Sequence, residues 1–133
     1  MTIKNRFDLV IFDWAGTMVD FGCEAPVSAL IEAFAADGIS IDAPIARRDM
    51  GKSKVDHVRA LLAVASVADA WHKRFGRACE ERDVERLMAR LGPLMRRRAA
   101  DASELIPGAL EAFQQLRAAD FTFQSPCTEL RGV

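Results

Sequence analysis

The stretch that decides the fold of this 133-residue chain is Asp8-Leu9-Val10-Ile11-Phe12-Asp13-Trp14-Ala15-Gly16-Thr17. An apolar run ends in the carboxylate of Asp13, and a glycine-containing turn follows at once. Open α/β sheets present reactive groups in this way, at the carboxyl end of a buried strand. We predict a strand over residues 7–13. On position alone, an aspartate that only caps the turn is the better interpretation of Asp13.

Composition narrows the class of protein. Half of the residues are hydrophobic and the formal net charge is -1, so the chain can form a core and has no overall attraction to nucleic acid or to anionic membrane. Three widely spaced cysteines argue against a disulfide framework, and no apolar stretch approaches the length of a membrane span. We expect a soluble, cytoplasmic protein that binds neither nucleic acid nor membrane.

Helical patterns follow the first strand. Apolar spacing and start signals predict helices over residues 26–38, 53–62, around 71–75, 84–95 and 107–116. The stripe in residues 84–95 is best explained as core packing, with Pro93 kinking or splitting the helix. A short strand is predicted over residues 121–123. This order of strand, helices and strand indicates an α/β domain with a helical insertion.

The string Asp13-Trp14-Ala15-Gly16-Thr17-Met18-Val19-Asp20 resembles the first signature of the haloacid dehalogenase superfamily, in which the aspartate at the strand end is a nucleophile. Most phosphatases of that superfamily carry a second aspartate two residues later, which protonates an alkoxide leaving group. This chain has Ala15 at that position. Either the protein is inactive, or its leaving group needs no such proton.

A second string favours an active protein whose leaving group needs no such proton. Met50-Gly51-Lys52-Ser53-Lys54-Val55-Asp56-His57-Val58-Arg59-Ala60-Leu61 resembles the cap signature of the phosphonoacetaldehyde hydrolase (phosphonatase) family, and so does Asp20-Phe21-Gly22-Cys23-Glu24-Ala25-Pro26. The resemblance extends to about Phe123. A phosphate-binding P-loop at Gly51 is rejected, because Ala46 stands where that motif needs a glycine.

The resemblance implies a haloacid-dehalogenase-like Rossmannoid α/β core, of which only the first strands are present, with an inserted α-helical cap. The corresponding domains are residues 1–21 for the start of the core, 22–100 for the cap and 101–133 for the return to the core. The family also implies a homodimer formed through the cap.

The same resemblance assigns the site. Asp13 is the nucleophile and Lys54 forms a Schiff base with phosphonoacetaldehyde, a small phosphonate. Mg²⁺ is held by the Asp13 carboxylate and the Ala15 carbonyl. The substrate pocket is lined by Cys23, Met50, Gly51 and His57. Ordinary alternatives remain open: Cys23 and Met50 as core fillers, and His57 as an exposed helix residue.

Helical geometry supports Lys54 over Lys52 as the functional amine. On a helical wheel Lys54 lies at the edge of the apolar face beside His57, whereas Lys52 falls on the polar side. Partial burial and the helix N-terminus should lower the proton affinity of Lys54. Its alternative is a lysine that merely snorkels from the helix flank.

The resemblance ends after Phe123. The family has a serine or threonine followed by glycine at the end of the second strand, and Phe123-Gln124-Ser125-Pro126-Cys127 does not reproduce it. A C-terminally truncated chain, through a frameshift, a premature stop or a deliberate cut, would have this appearance. We expect little or no turnover, and keep a non-catalytic fragment or interaction module as the alternative. An ordinary phosphatase is disfavoured by Ala15 and Lys54.

Overall fold

The computed structural model describes residues 9–124. Its elements are, in chain order, β1 (Leu9–Ile11), α1 (Glu24–Ala35), α2 (Ala43–Arg47), α3 (Lys54–Leu62), α4 (Ala65–Phe75), α5 (Glu81–Asp101), α6 (Ala109–Ala118) and β2 (Thr122–Gln124). The predicted order of strand, helical block and strand is confirmed. Residues 7 and 8 of the predicted strand, and the divergent tail from Ser125 onward, lie outside the described residues.

The chain divides into two compact units, residues 1–24 with 102–133 and residues 25–101. The predicted domain boundaries remain predictions. In the first unit β1 and β2 pair in parallel, with Leu9 opposite Thr122 and Ile11 opposite Gln124. Parallel neighbours need a crossover connection, and the helical block lies within it. Leu9 and Ile11 stay 44% and 60% exposed, so this described two-stranded sheet buries little apolar surface.

The second unit contains the hydrophobic core. Trp71, Phe34, Leu61 and Leu87 are fully buried among the helices. The predicted stripe on α5 is confirmed as core packing, with its buried members at Val84, Leu87, Leu91 and Leu94. Pro93 does not split α5, which is continuous through it. Burial of apolar residues on both sides offsets the backbone hydrogen bond that proline cannot make.

Local capping sets the helix ends that matter for the site. Asp42 accepts a hydrogen bond from the Ile45 amide at 2.8 Å and begins α2, a helix that the sequence patterns did not predict. Ser53 caps α3, as predicted. Gly76, with φ of +68°, ends α4 in the left-handed conformation.

Ion pairs join the helices of this unit. Arg77 binds the fully buried Asp83 carboxylate through two hydrogen bonds of 2.6 and 2.9 Å, and the Glu80 amide donates to the same carboxylate at 2.9 Å. At the far end of α5, Arg97 and Arg98 both bind Glu32 of α1. These two arginines therefore link α5 to α1.

Candidate active site

Asp13 follows the last residue of β1 by two positions and is exposed. The Thr17 hydroxyl donates to an Asp13 carboxylate oxygen at 3.4 Å. The chain then closes a tight loop, in which the Gly16 amide donates to the Val19 carbonyl at 2.7 Å and the Met18 amide to the Trp14 carbonyl at 2.9 Å. The strand and loop thus present the carboxylate at the carboxyl end of β1, where the sequence placed it.

Cys23 packs against this loop. Its thiol donates to the Ala15 carbonyl at 3.5 Å. A Cβ added at Gly16, whose φ is +80°, would lie 2.5 Å from the Cys23 sulfur. Asp20 anchors the following residues by accepting a hydrogen bond from the Glu24 amide at 2.8 Å. Cys23 is half-buried, in direct contact with the turn after Asp13.

A separate cavity of about 140 Å³ lies in the helical unit. Four of the residues predicted for the site line it together, namely Met50, Gly51, Lys54 and His57. Its remaining wall is Lys52 and four apolar side chains of α1 and α5, Pro26, Leu30, Leu91 and Met95. The structure therefore brings the predicted amine, the histidine and the Met50–Gly51 turn to one concave place.

Lys54 is the first residue of α3, and the Ser53 N-cap fixes the start of that helix. The Asp56 amide donates to the Ser53 hydroxyl oxygen at 3.2 Å, and the Ser53 hydroxyl donates to the Asp56 carboxylate at 2.6 Å. The expected partial burial is not found, because Lys54 is exposed in the described structure. What places its amine is the helix N-terminus and the cavity beside it.

The position predicted for Lys52 is wrong. Lys52 lies in the turn before the Ser53 cap, where a helical wheel no longer applies, and it lines the same cavity as Lys54. Its ammonium pairs with the Asp49 carboxylate at 2.5 Å. The hydrogen bond from Lys52 lowers the pKa of Asp49, aided by nearby positive charge from Arg48 and His57. The three-residue spacing of Asp49 and Lys52 was the signal that sequence reasoning missed.

His57 is buried, with 8% of its surface exposed. No residue in the described range forms a hydrogen bond to its Nε2 atom. The alternative of an exposed helix histidine is therefore wrong. A buried polar atom without a partner is costly unless it serves a ligand or water, and His57 borders the cavity that Lys54 also lines.

The implied magnesium can be compared with the donors present. Residues 9–124 contain no cluster of three or more His, Cys, Asp or Glu side chains that could hold a metal. Asp13 and Ala15 offer a carboxylate and a carbonyl on one loop. These are the oxygen ligands that Mg²⁺ prefers, and Mg²⁺ usually retains several waters. The donor chemistry fits, with two protein ligands from the described residues.

Comparison with known proteins shows what the chain resembles. No protein-family model matches the chain. The phosphonoacetaldehyde hydrolase of Syntrophobacter fumaroxidans is 51% identical over 108 residues, which are 81% of this chain and 39% of that protein. The phosphonoacetaldehyde hydrolase of Bordetella pertussis is 40% identical over 116 residues, 87% of this chain and 42% of that protein. The chain is homologous to phosphonoacetaldehyde hydrolases. It spans about two-fifths of the length of these curated relatives.

Solved structures agree on the fold. A phosphonoacetaldehyde hydrolase-like protein from Oleispira antarctica matches with a TM-score of 0.83 and 40% identity over 88% of this chain and 42% of that one. A predicted phosphoglycolate phosphatase from Haemophilus somnus, 18% identical with a TM-score of 0.68 over 90% of this chain and 50% of its own, shows the fold alone. The predicted haloacid-dehalogenase-like α/β fold with a helical cap is confirmed. In the part of the chain that the structure covers, none of the helices combines the length and hydropathy needed to span a membrane.

Proposed function

We propose that this chain carries the nucleophile and the imine-forming lysine of a phosphonoacetaldehyde hydrolase. Such an enzyme cleaves the carbon–phosphorus bond of phosphonoacetaldehyde to give acetaldehyde and phosphate, a step in the degradation of 2-aminoethylphosphonate. One observation carries the proposal: Lys54, His57 and the Met50–Gly51 turn line one cavity, in a chain homologous to proteins of that name. The assignments of all site residues are part of this proposal.

The reaction begins at Lys54. Its unprotonated amine attacks the aldehyde carbon, and loss of water leaves a protonated imine. His57 borders the same cavity, and its Nε2 atom can hold that water or move a proton during dehydration. The protonated imine is an electron sink, so the electron pair of the carbon–phosphorus bond can pass into an enamine.

Asp13 acts on the phosphorus. Its carboxylate attacks, the carbon–phosphorus bond breaks, and an aspartyl phosphate forms while the carbon departs as the enamine. Water then hydrolyses the aspartyl phosphate to phosphate. The enamine takes up a proton on carbon, and hydrolysis of the resulting imine releases acetaldehyde and regenerates the amine of Lys54.

Ala15 supports this reaction over phosphate ester hydrolysis. An ester releases an alkoxide, which gains from a general acid two residues after the nucleophile, whereas an enamine carbon leaves as a neutral group. The carbonyl of Ala15 and the carboxylate of Asp13 would hold Mg²⁺. When bound, the metal neutralises charge between the carboxylate and the phosphonate.

A second candidate is a non-catalytic interaction module of the same family. Two observations favour the interaction module. Leu9 and Ile11 expose apolar surface that a partner could cover. The described residues also supply only two oxygen donors for a metal. The predicted homodimer through the helical unit and the cytoplasmic location belong to both candidates and are likewise proposals.

Borohydride reduction in the presence of phosphonoacetaldehyde separates the candidates. If the carbon–phosphorus bond is cleaved before reduction, Lys54 gains an ethyl group. If only the imine forms, it gains a phosphonoethyl group. One slow cleavage before reduction is enough to leave an ethyl group. We therefore expect some ethyl on the wild type even at low turnover, phosphonoethyl alone on Asp13→Asn, and neither on Lys54→Arg. Phosphonoethyl alone on the wild type would favour the non-catalytic module, and no adduct on folded protein would overturn the proposal.

A further inference from the structure

A second lysine shares the cavity of Lys54. Lys52 and Lys54 both line it, and none of the lining residues within 9–124 is acidic. α1 and α5 contribute only apolar side chains to the wall. The Asp49 carboxylate binds Lys52, and Arg48 and Asp56 lie close enough to act on this group of charges.

The Asp49–Lys52 pair is held by the turn between α2 and α3. The Met50 amide donates to the Arg47 carbonyl at 3.2 Å, and the Lys52 amide to the Asp49 carbonyl at 3.3 Å. Gly51 completes the turn with φ of +102°. This backbone brings the two side chains together, with the Asp49 side chain 20% and the Lys52 side chain 51% exposed. The Lys52 ammonium is therefore confined beside the cavity.

We propose that Lys52, held by Asp49, determines the preference of the Lys54 site for anionic aldehydes. The inference rests on the proposed imine at Lys54. An aldehyde joined to Lys54 carries its phosphonate two bonds beyond the imine carbon, so the negative group stays close to the cavity wall. A fixed ammonium there attracts a phosphonate and does nothing for a neutral aldehyde.

The Asp49–Lys52 pair also predicts whether each substitution weakens or strengthens the binding of an anionic aldehyde. Lys52→Gln leaves the half-buried Asp49 carboxylate without this cation, so the site repels an anionic aldehyde. Asp49→Asn leaves the ammonium uncompensated, so the site holds the anion as well as the wild type does, or better. The double variant removes both charges and should fall between the two single variants. Any departure of the double variant from the sum of the two single effects measures the coupling between the paired side chains.

The experiment measures the aldehyde concentration that gives half-maximal borohydride adduct on Lys54, with phosphonoacetaldehyde as the anionic probe and propionaldehyde as the neutral one. For Lys52→Gln we expect a rise of about threefold to tenfold with phosphonoacetaldehyde, the range for a nearby charge in a partly solvated site, and no change with propionaldehyde. Added salt should reduce the difference between variants. Lys73→Gln, an exposed residue of α4 outside the cavity, is the matched control.

Two results would overturn the inference. One is an equal shift for both aldehydes, which would indicate a role in folding or in placing Lys54. The other is an unchanged response to phosphonoacetaldehyde in Lys52→Gln. Failure of the wild type to form an adduct with either aldehyde would instead overturn the proposed function, so the two failures are distinguishable.

Discussion

The Cys23 thiol occupies the space beside Gly16 in the loop that follows Asp13. It lies 2.5 Å from the place where a Gly16 Cβ would stand and donates a 3.5 Å hydrogen bond to the Ala15 carbonyl. The same contact therefore limits the residue at position 16 and orients the carbonyl proposed as a metal ligand. Loop conformation, and with it the surroundings of Asp13, depends on this pair.

Gly16→Ala should destabilise the loop through two effects. A side chain at φ of +80° costs about 1–2 kcal/mol. The clash with Cys23 adds about 1–3 kcal/mol. Hydrogen exchange measures the loss of local stability, in the peptide spanning residues 14–23 for Gly16→Ala and in the peptide that contains residue 76 for the control. Gly76→Ala is the control, since Gly76 has φ of +68° and no atom near an added Cβ. Adding Cys23→Ala should remove the clash and restore the part of the local stability that it cost. Equal losses of local stability for Gly16→Ala and Gly76→Ala would contradict this account.

Ser53→Ala should weaken the start of α3. Loss of the N-cap costs about 1 kcal/mol, because the Asp56 amide loses its acceptor. Urea unfolding measures this change, and Ser66→Ala, at an exposed position of α4, is the matched control. If the helix start also places Lys54, the borohydride adduct should form more slowly. An unfolding free energy equal to that of the control would show that the cap contributes nothing.

His57→Leu should separate stability from function. The Nε2 atom is buried without a hydrogen-bond partner among the described residues, so an apolar side chain of similar size should leave the free energy of unfolding unchanged or raise it. The rate of adduct formation at Lys54 should fall, because proton transfer is lost. His72→Leu, at an exposed position on α4, should change neither quantity. Marked destabilisation with an unchanged adduct rate would assign His57 a structural role only.

Asp83→Asn should cost on the order of 3 kcal/mol at neutral pH, because it removes the buried carboxylate that binds both Arg77 and Arg86. The hydrogen bonds from Arg77 hold the pKa of Asp83 well below its usual range. Since the folded pKa is lowered, this stabilisation is present above the pKa of the unfolded chain, about 4, and is lost as pH falls below it toward the folded value.

Urea unfolding of the wild type and Asp83→Asn at pH 7 and pH 3 tests this dependence. The difference in the free energy of unfolding between the two proteins should be smaller at pH 3 than at pH 7. Asp69→Asn, at an exposed position of α4, is the control. A difference that stayed constant across this range would show that the charge of Asp83 is not what stabilises the start of α5.

Local signals in the sequence predicted much of this structure. The Ser53 cap, the apolar stripe of α5 and the carboxylate after β1 depend on neighbours a few residues away. α2 escaped prediction because five residues give no periodicity, although Asp42 and Pro44 mark its start. Lys52 was misplaced because the helical wheel was extended past the cap.

Other features depend on partners far along the chain. The burial of His57 follows from how the helices of the second unit pack around it, which its own spacing does not report. The exposure of Lys54 has the same origin. Arg97 and Arg98 bind Glu32 of α1, which lies 65 and 66 residues away in sequence, so no local pattern reports this pairing.

The most direct test of the central claim is to locate the borohydride adduct by peptide mass spectrometry after treatment with phosphonoacetaldehyde. The account predicts that Lys54 carries the adduct. Lys52 should not, because its side-chain nitrogen is held by the Asp49 carboxylate. Lys73 should not, because it lies outside the cavity. Modification of Lys52, or a spread over the exposed lysines in proportion to their accessibility, would contradict the assignment of Lys54 as the imine-forming residue.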